Sequence, residues 1–272
     1  MELASNLPFP LPGMFMSDRL TVFTNMYYPP SKSAIVALKL LDLPYIEIEV
    51  SPFRPPSWMQ AHIWKSLPPN TFPCTYIPPI DSSSTSQLVA GTIPILQYLH
   101  LVTGQLPVPQ SDESCAAHNM LTFCLGAMHC YSLNLLSMCI TDKVAGDRYE
   151  HLRCRLWRWL QIINDILVRS DEGNCGPFFG GANKIGVAEI VGIVYTGPLH
   201  THGHAYGLVP PITQEYSRYY YWLQNSLANK FIRDNATSSQ ALSKDGLFLN
   251  DWQQAALPRS TALSGVQMQI SP

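Results

Sequence analysis

Residues 20–50 constrain the fold more than any other stretch, because they contain a strand, a helix and a second strand with short joints. Residues 20–24 alternate between the two faces expected of a strand. Pro29 and Pro30 suit the first turn of a helix, where a missing N–H costs nothing, and apolar residues then recur three apart. Residues 45–50 alternate again. This pattern predicts a right-handed βαβ unit with parallel strands.

The next fifty residues predict that the same sheet continues. A proline introduces a third strand at 72–77, and a long polar loop separates it from a fourth short strand at 88–90. Two strands joined in this way are expected to form an antiparallel hairpin. Gly91 and Thr92 then begin a helix. We therefore predict an α/β domain over residues 20–102, preceded by an irregular arm over residues 1–19.

Strand signals nearly vanish after residue 102. Apolar residues recur at helical spacing in four segments, which predict helices at 114–140, 148–169, 187–195 and 213–229. We predict an all-helical domain over residues 103–235 and a polar, loosely attached tail over residues 236–272. The expected fold class is thus α/β followed by all-α.

Charge and composition argue against two classes of partner. The net charge is −2, so the chain lacks the excess of positive charge typical of proteins that bind nucleic acid or an anionic membrane surface. Residues 115–140 contain no Asp, Glu, Lys or Arg, but polar residues interrupt them and no 18-residue apolar run occurs, so we predict no membrane span. Only 13% of all residues are charged. This low share favours an apolar ligand surface or a covering partner subunit.

The seven cysteines are odd in number, and no pair has the spacing of zinc ligands. Four of them fall within the predicted helix 114–140, where they are interpreted as small core residues. The N-terminus has neither a basic start nor a continuous apolar run, so no signal peptide is predicted. Reduced thiols and a cytoplasmic location are therefore expected. His200, His202 and His204 alternate, but they are interpreted as part of a loop between helices, and a metal site there is disfavoured against a surface loop.

Four segments together resemble the glutathione S-transferases. They lie in the family's order and spacing between residues 20 and 225, and they read LTVFTNMYYPPSKSAIVALKLLDLPY, SLPPNTFPC, LVAGTIPILQYL and GPFFGGANKIGVAEIVG. They are similar to the family's opening unit, its N-P-x-x-x-V-P segment, its L-x-E-S-x-A-I-x-x-Y-L segment and its G-P-F-x-G…S-x-A-D segment. The resemblance implies a thioredoxin-like first domain, a helical-bundle second domain, glutathione as cofactor and a homodimer.

The resemblance also assigns candidate glutathione contacts. Phe72 precedes Pro73, whose peptide bond is cis in the family, and such a residue exposes its backbone to an extended peptide. Gly91 and Thr92 stand where the family has Glu and Ser, so the hydroxyl is kept and the carboxylate is lost. Thr92 at a helix start suits a carboxylate ligand, although a hydroxyl there also serves as an ordinary helix cap. Lys32 is a candidate for the glycyl carboxylate, and a solvated lysine is the alternative.

The thiol of glutathione needs a hydrogen-bond donor that stabilises its thiolate. The family's catalytic residue precedes the first helix, and Tyr28 aligns with it. Tyr27 and Ser31 are the second candidates. A tyrosine at such a position is also common as a packing residue whose hydroxyl is satisfied.

The electrophile's pocket is expected between the two domains. Its wall would come from the middle of the long helix, with the candidates Met128, His129, Tyr131 and Ser132. Ordinary core packing is the alternative for each of them.

Three functions follow from these candidates. The first is a glutathione-dependent transferase that adds the thiolate to an activated C=C of an apolar substrate, giving a thioether or, after elimination, a cis/trans isomerised product. The irregular N-terminus and long tail resemble filamentous-fungal transferases of secondary metabolism, including the pseurotin-type trans-to-cis isomerase. The second is a non-catalytic binding or scaffold protein that keeps the fold. The third, a glutaredoxin-like thiol oxidoreductase, is disfavoured because no cysteine occupies the helix start.

Overall fold

The computed structural model describes residues 19–25, 29–50, 56–65, 67, 71–79, 86–108, 111–140, 146–171, 176–211, 213–236 and 266–270. These residues divide into two compact units. The first unit contains the described residues up to 102 together with 266–270, and the second contains the described residues from 103 to 236.

The first unit is a mixed sheet with short helices. Its elements are β1 (Leu20–Thr24), a 3₁₀ turn (Pro29–Lys32), α1 (Ser33–Leu40), β2 (Tyr45–Val50), a π-helical turn (Met59–Ile63), β3 (Cys74–Ile77), β4 (Gln87–Ala90), α2 (Thr92–Thr103) and β5 (Val266–Ile270). The two prolines expected to open the first helix form the 3₁₀ turn before it. Asp42, which follows α1, has φ of 52° and lies in the turn to β2.

The strands lie in the order β4-β3-β1-β2-β5. β1 and β2 are parallel, from Leu20 opposite Tyr45 to Thr24 opposite Glu49, and β3 pairs antiparallel with both β1 and β4. This arrangement confirms the predicted thioredoxin-like unit with a βαβ start and a closing hairpin. The pairing of β5 with β2 was not predicted, because the tail was interpreted as polar and loosely attached.

One face of this sheet carries a hydrophobic core. Phe23 of β1 and Ile48 of β2 are opposite each other in the register and are almost fully buried. Met59 and Ile63 of the π-helical turn pack against them, together with Phe72. Alternation along β1 therefore directs Phe23 into this core and Val22 and Thr24 to the opposite face, on which Glu47 and Glu49 also lie.

The second unit is helical, as predicted. Its elements are α3 (Asp112–Ile140), α4 (Asp147–Ser170), a 3₁₀ turn (Phe179–Gly181), α5 (Val187–His202), 3₁₀ turns at Gly203–Tyr206 and Gln214–Tyr216, α6 (Ser217–Ala228) and α7 (Lys230–Ala236). α3 packs against α4 and α5. Within the described ranges, no helix combines the length and the apolar character needed to cross a membrane.

The predicted end of α5 was wrong. The helix continues through Pro198 to His202, so His200 lies on a helix and not in a loop. A proline inside a helix removes one backbone hydrogen bond, but α5 is buried along most of its length, and packing outweighs that loss. The Nε2 atom of His200 lies 2.6 Å from the hydroxyl of Tyr219. Among the described residues, no group of three or more His, Cys, Asp or Glu is placed to hold a metal ion.

The interpretation of the α3 cysteines as core residues was correct for two of them and wrong for two. Cys124 and Cys139 are buried, whereas Cys115 and Cys130 are exposed on other faces of the same helix. A helix 29 residues long presents several faces to its surroundings, and the small size of cysteine does not decide which face is buried.

A buried carboxylate closes the start of α5. Glu189 is 1% exposed and accepts hydrogen bonds from three N–H groups: the backbone N–H of Gly186, the backbone N–H of Phe179 and the indole N–H of Trp222, each at 2.8 Å. Glu189, the third residue after the N-cap Gly186, thus holds the start of α5, the preceding 3₁₀ turn and α6 together.

Candidate functional site

The loop between β1 and α1 is closed by Ser31. The Ser31 hydroxyl donates to the backbone oxygen of Asn25 at 2.7 Å, and the backbone N–H of Asn25 donates to the Ser31 oxygen at 3.1 Å. Ser31 is fully buried. Its single proton is therefore directed to Asn25. Tyr27 and Tyr28, the other two candidates, lie outside the described residues.

Lys32 is held by two carboxylates of β2. Its ammonium nitrogen lies 2.5 Å from Oε1 of Glu47 and 3.5 Å from Oε2 of Glu49. The hydroxyl of Thr24 also donates to Glu47, at 2.8 Å. Two carboxylates and one ammonium leave this group with a formal charge of −1. The observed contacts of Lys32 thus tie the start of α1 to the sheet, while a contact with a glycyl carboxylate stays a prediction.

The Phe72–Pro73 peptide bond is cis, as the family resemblance implies. The backbone N–H of Gly91 donates to the oxygen of Pro73 at 2.8 Å, which places the cis bond beside the start of α2. Phe72 is buried, and its ring meets that of Trp64 edge-on with centroids 6.0 Å apart. Gly91 has a φ of +92°, a backbone conformation that disfavours any residue with a side chain. Space does not require the glycine, because a Cβ at this position would lie at an ordinary contact distance of 3.5 Å from Pro94.

Thr92 begins α2 and meets the start of α1. Its hydroxyl oxygen lies 3.2 Å from the hydroxyl oxygen of Ser33 and 3.3 Å from the backbone oxygen of Pro30. Ser33 donates to the same Pro30 oxygen at 2.6 Å. Thr92 and Ser33 are both buried. Sequence reasoning missed Ser33 as a partner of Thr92, because 59 residues separate them and no local pattern connects the two helix starts.

These groups provide the elements of a site for an anionic, extended ligand. The first turn of α2 offers the backbone N–H groups of Thr92 and Ile93 and the positive end of the helix dipole, with the Thr92 hydroxyl beside them. Pro94 has no N–H, and the N–H of Ile95 donates to the Gly91 oxygen at 3.2 Å. The peptide group of Phe72 has no hydrogen-bond partner among the described residues, so its N–H and C=O remain available for strand-like pairing. A carboxylate and an adjacent peptide group are the chemical features that such a surface recognises.

The four substrate candidates of the long helix make packing contacts inside the second unit. Met128 and Ser132 are fully buried, and the Ser132 hydroxyl donates to the backbone oxygen of His129 at 3.0 Å. The Tyr131 hydroxyl donates to the backbone oxygen of Leu152 on α4 at 3.1 Å. A role in substrate binding stays a prediction for all four.

His129 is the most strongly perturbed of these residues. Its ring stacks on that of Tyr195 with centroids 5.2 Å apart, and its Nδ1 atom lies 2.8 Å from the backbone oxygen of Tyr195. Burial lowers the pKa of His129 to about 4, although the bond to Tyr195 acts in the opposite direction. The imidazole is therefore neutral at neutral pH.

Comparison with solved structures identifies the fold. A glutathione transferase from Burkholderia graminis, described with two glutathione molecules bound per subunit, matches with a TM-score of 0.63 and 19% identity over 88% of this chain and 98% of that one. The Tau class glutathione S-transferase of mango (Mangifera indica) matches with a TM-score of 0.66 and 18% identity, over 85% and 98% of the two chains. Glutathione transferase Omega 1C of Trametes versicolor matches with a TM-score of 0.62 and 11% identity, over 86% of this chain and 98% of that one.

No protein-family model matches the sequence, and no curated protein matches it. At identities below 20%, the structural likeness establishes the fold and not the reaction. The chain has the glutathione transferase fold, with a thioredoxin-like unit followed by a helical unit.

Proposed function

We propose that this chain is a glutathione transferase, which binds glutathione on the first unit and uses its thiolate against an apolar electrophile. The hydrogen bond from the Gly91 N–H to the Pro73 oxygen carries the proposal, because it sets the backbone of Phe72 and Pro73 beside the start of α2. The proposed site thus combines the Phe72 peptide group, which has no hydrogen-bond partner among the described residues, with the start of α2 at Thr92 as the candidate carboxylate site. The glutathione bound to the Burkholderia transferase supports glutathione as the cofactor.

In this proposal the ligand has three points of contact. The peptide group of Phe72 pairs with the cysteinyl residue, the Thr92 hydroxyl and the first turn of α2 hold the γ-glutamyl carboxylate, and Lys32 is the candidate for the glycyl carboxylate. The pairing of Lys32 with Glu47 and Glu49 makes it the weakest of these assignments.

Tyr28 remains the first candidate for stabilising the thiolate. Because the Ser31 proton is already directed to Asn25, Ser31 would have to break a buried hydrogen bond to serve the thiol. We therefore assign Ser31 to closing the loop and rank Tyr28 and then Tyr27 above it as hydroxyl donors.

The proposed reaction is addition to an activated C=C. The thiolate forms a bond to one carbon, and the electron pair of the double bond moves onto the activating group. Protonation of that intermediate gives a thioether conjugate. If rotation about the new single bond precedes elimination of the thiolate, the double bond re-forms with inverted geometry and glutathione is regenerated. An apolar substrate fits the low share of charged residues, and a fungal secondary-metabolite pathway is the context that we propose.

Two further assignments complete the proposal. None of the six cysteines in the described residues forms a disulfide bond, which suits a reducing compartment such as the cytoplasm. Met120 and Phe123, three residues apart on α3, are 53% and 65% exposed, and such an exposed apolar pair supports a homodimer. Light scattering of the parent and of Phe123→Glu would test the dimer, since a charge there should favour the monomer.

A second candidate is a non-catalytic binding protein with the same fold. Three observations favour it. The Ser31 hydroxyl already donates its proton to Asn25, Lys32 is already paired with carboxylates of β2, and Gly91 stands where the family has a glutamate. Such a protein would be stabilised by glutathione, because a ligand of the native state raises the Tm by mass action, but it would show no turnover.

Titration calorimetry with reduced glutathione is the test. The parent should bind it, Thr92→Ala should bind it more weakly, and Tyr28→Phe should bind it normally while losing conjugation of chloronitrobenzene. Binding without turnover in the parent would favour the second candidate. Absence of binding in the parent would contradict both.

A further inference from the structure

Three buried oxygen atoms meet where the two helices of the glutathione site begin. Ser33 Oγ lies 2.6 Å from the Pro30 backbone oxygen and 3.2 Å from Thr92 Oγ1, and Thr92 Oγ1 lies 3.3 Å from the same Pro30 oxygen. Ser33 is fully buried and Thr92 is 6% exposed. Two hydroxyl protons are thus shared among one carbonyl and two hydroxyl oxygens.

The distances decide which proton goes where. A bond of 2.6 Å is short for O–H···O and directs the Ser33 proton to Pro30, whereas 3.3 Å exceeds the usual range of about 2.5–3.0 Å. Ser33 therefore supplies the short side-chain hydrogen bond to this buried carbonyl. The Thr92 proton has only long contacts to lose if it turns towards another acceptor, 3.3 Å to the Pro30 oxygen and 3.2 Å to Ser33 Oγ.

Many serines in helices donate to a carbonyl of the preceding turn, and this alone would be unremarkable. Ser132 and Ser170 make that bond to the third residue before them. Ser33 makes the same bond to Pro30 and in addition contacts the hydroxyl of Thr92, which belongs to a different helix. This second contact connects the serine to the proposed carboxylate site.

We propose that Ser33 is a positioning residue for glutathione binding, which satisfies the Pro30 carbonyl and thereby frees the Thr92 hydroxyl to donate to the γ-glutamyl carboxylate. The inference rests on the proposed glutathione site. It adds a residue that touches no part of the ligand and acts through Thr92. If this is so, Ser33 contributes to binding affinity only for a ligand that carries the γ-glutamyl carboxylate.

Of the two hydroxyls that contact the buried Pro30 carbonyl, removal of Ser33 leaves only that of Thr92 as a donor. The ligand's carboxylate must then compete with Pro30 for the Thr92 proton. Loss of about one hydrogen bond predicts a rise in the Kd for glutathione of about 3- to 10-fold in Ser33→Ala. An analogue without that carboxylate has nothing to compete for, so its Kd should not change.

Calorimetry with two ligands tests this. The ligands are glutathione and 4-aminobutyryl-cysteinylglycine, which lacks only the γ-glutamyl carboxylate. The proteins are the parent, Ser33→Ala, Ser33→Thr, Thr92→Ala and the double variant. Ser226→Ala is the matched control, because Ser226 is equally buried and donates to the Trp222 carbonyl within α6.

The expected result is weaker glutathione binding in Ser33→Ala, an unchanged Kd for the analogue, rescue by Ser33→Thr and no additional loss in the double variant relative to Thr92→Ala. Ser226→Ala should lower the Tm without changing either Kd. If Ser33→Ala loses affinity equally for both ligands, or loses none for glutathione, the proposed role of Ser33 is wrong, while the proposed glutathione site is not affected. If the parent binds no glutathione, the proposed function and this inference both fail.

Discussion

The carboxylate of Glu189 offers the sharpest test of what holds the helical unit together. Oε1 accepts from the N–H of Phe179 and the indole N–H of Trp222, and Oε2 accepts from the N–H of Gly186. Glu189→Gln keeps the shape but replaces one oxygen by an NH₂ group. If the amide oxygen serves Phe179 and Trp222, the NH₂ group faces the N–H of Gly186, and two donors confront each other.

The magnitude follows from these bonds. Hydrogen bonds to a charged group contribute about 1.5–3 kcal/mol each, and a buried donor left unsatisfied costs about 1–3 kcal/mol. Glu189→Gln loses one bond, weakens the other two and leaves one donor unpaired, so the free energy of unfolding should fall by about 2–4 kcal/mol. Glu189→Ala leaves all three donors without this acceptor and should cost more.

Urea unfolding of the parent and the variants, followed by circular dichroism, measures these differences. Glu215→Gln is the control, because this exposed glutamate should change the free energy by no more than about 0.5 kcal/mol. Glu189→Asp should fall between the parent and Glu189→Ala, since its shorter side chain reaches fewer of the three donors. A Glu189→Gln variant as stable as the Glu215→Gln control would refute the reasoning.

Three further predictions concern other parts of the chain. Gly192→Ala should strongly lower the Tm, because the new Cβ would lie 1.9 Å from the Trp222 ring. Gly126→Ala is the control: its Cβ would lie 3.6 Å from the Tyr195 ring, so the Tm should be unchanged or slightly raised. Between pH 6.5 and about 4, His129 binds a proton in the unfolded chain but not in the folded one, so the free energy of unfolding should fall as the pH falls. In His129→Phe this fall should be smaller by about 3 kcal/mol, as measured by urea unfolding at several pH values. Lys32→Met should lower the Tm less at high salt than at low salt, because its loss leaves two carboxylates facing each other and salt screens their repulsion.

Each of these predictions has a result that contradicts it. Equal melts for the two glycine variants would mean that the Trp222 ring moves aside. An unchanged pH profile in His129→Phe would mean that other groups carry the acid sensitivity, among them His118, whose pKa burial also lowers. An equal fall in the Tm of Lys32→Met at low and at high salt would mean that repulsion between Glu47 and Glu49 does not cause the loss of stability.

Much of the first unit could be predicted because its signals are local. The alternation of residues 45–50 located β2 with its observed bounds. The cis bond at Pro73 was implied by the resemblance to the glutathione S-transferases and not by the local residues alone. The helical segments of the second unit were also predictable, but their ends were less so. Pro198 suggested an end to α5 that burial of the helix overrode.

The candidate site was only partly predictable, since its hydrogen bonds join distant segments. Position in the sequence singled out Thr92 and Lys32 but could not provide their partners, Ser33 in one case and Glu47 with Glu49 in the other. Those partners depend on how α1 and α2 lie on the sheet.

By itself, the sequence determined the order of the strands and helices of residues 20–229 and the start of α2, because periodicity and chain stiffness act between near neighbours. Only the tertiary structure decided which hydroxyl proton is free, which charges neutralise each other and which histidine is buried. These properties depend on distances of a few ångströms between residues far apart in the chain, and packing alone sets such distances.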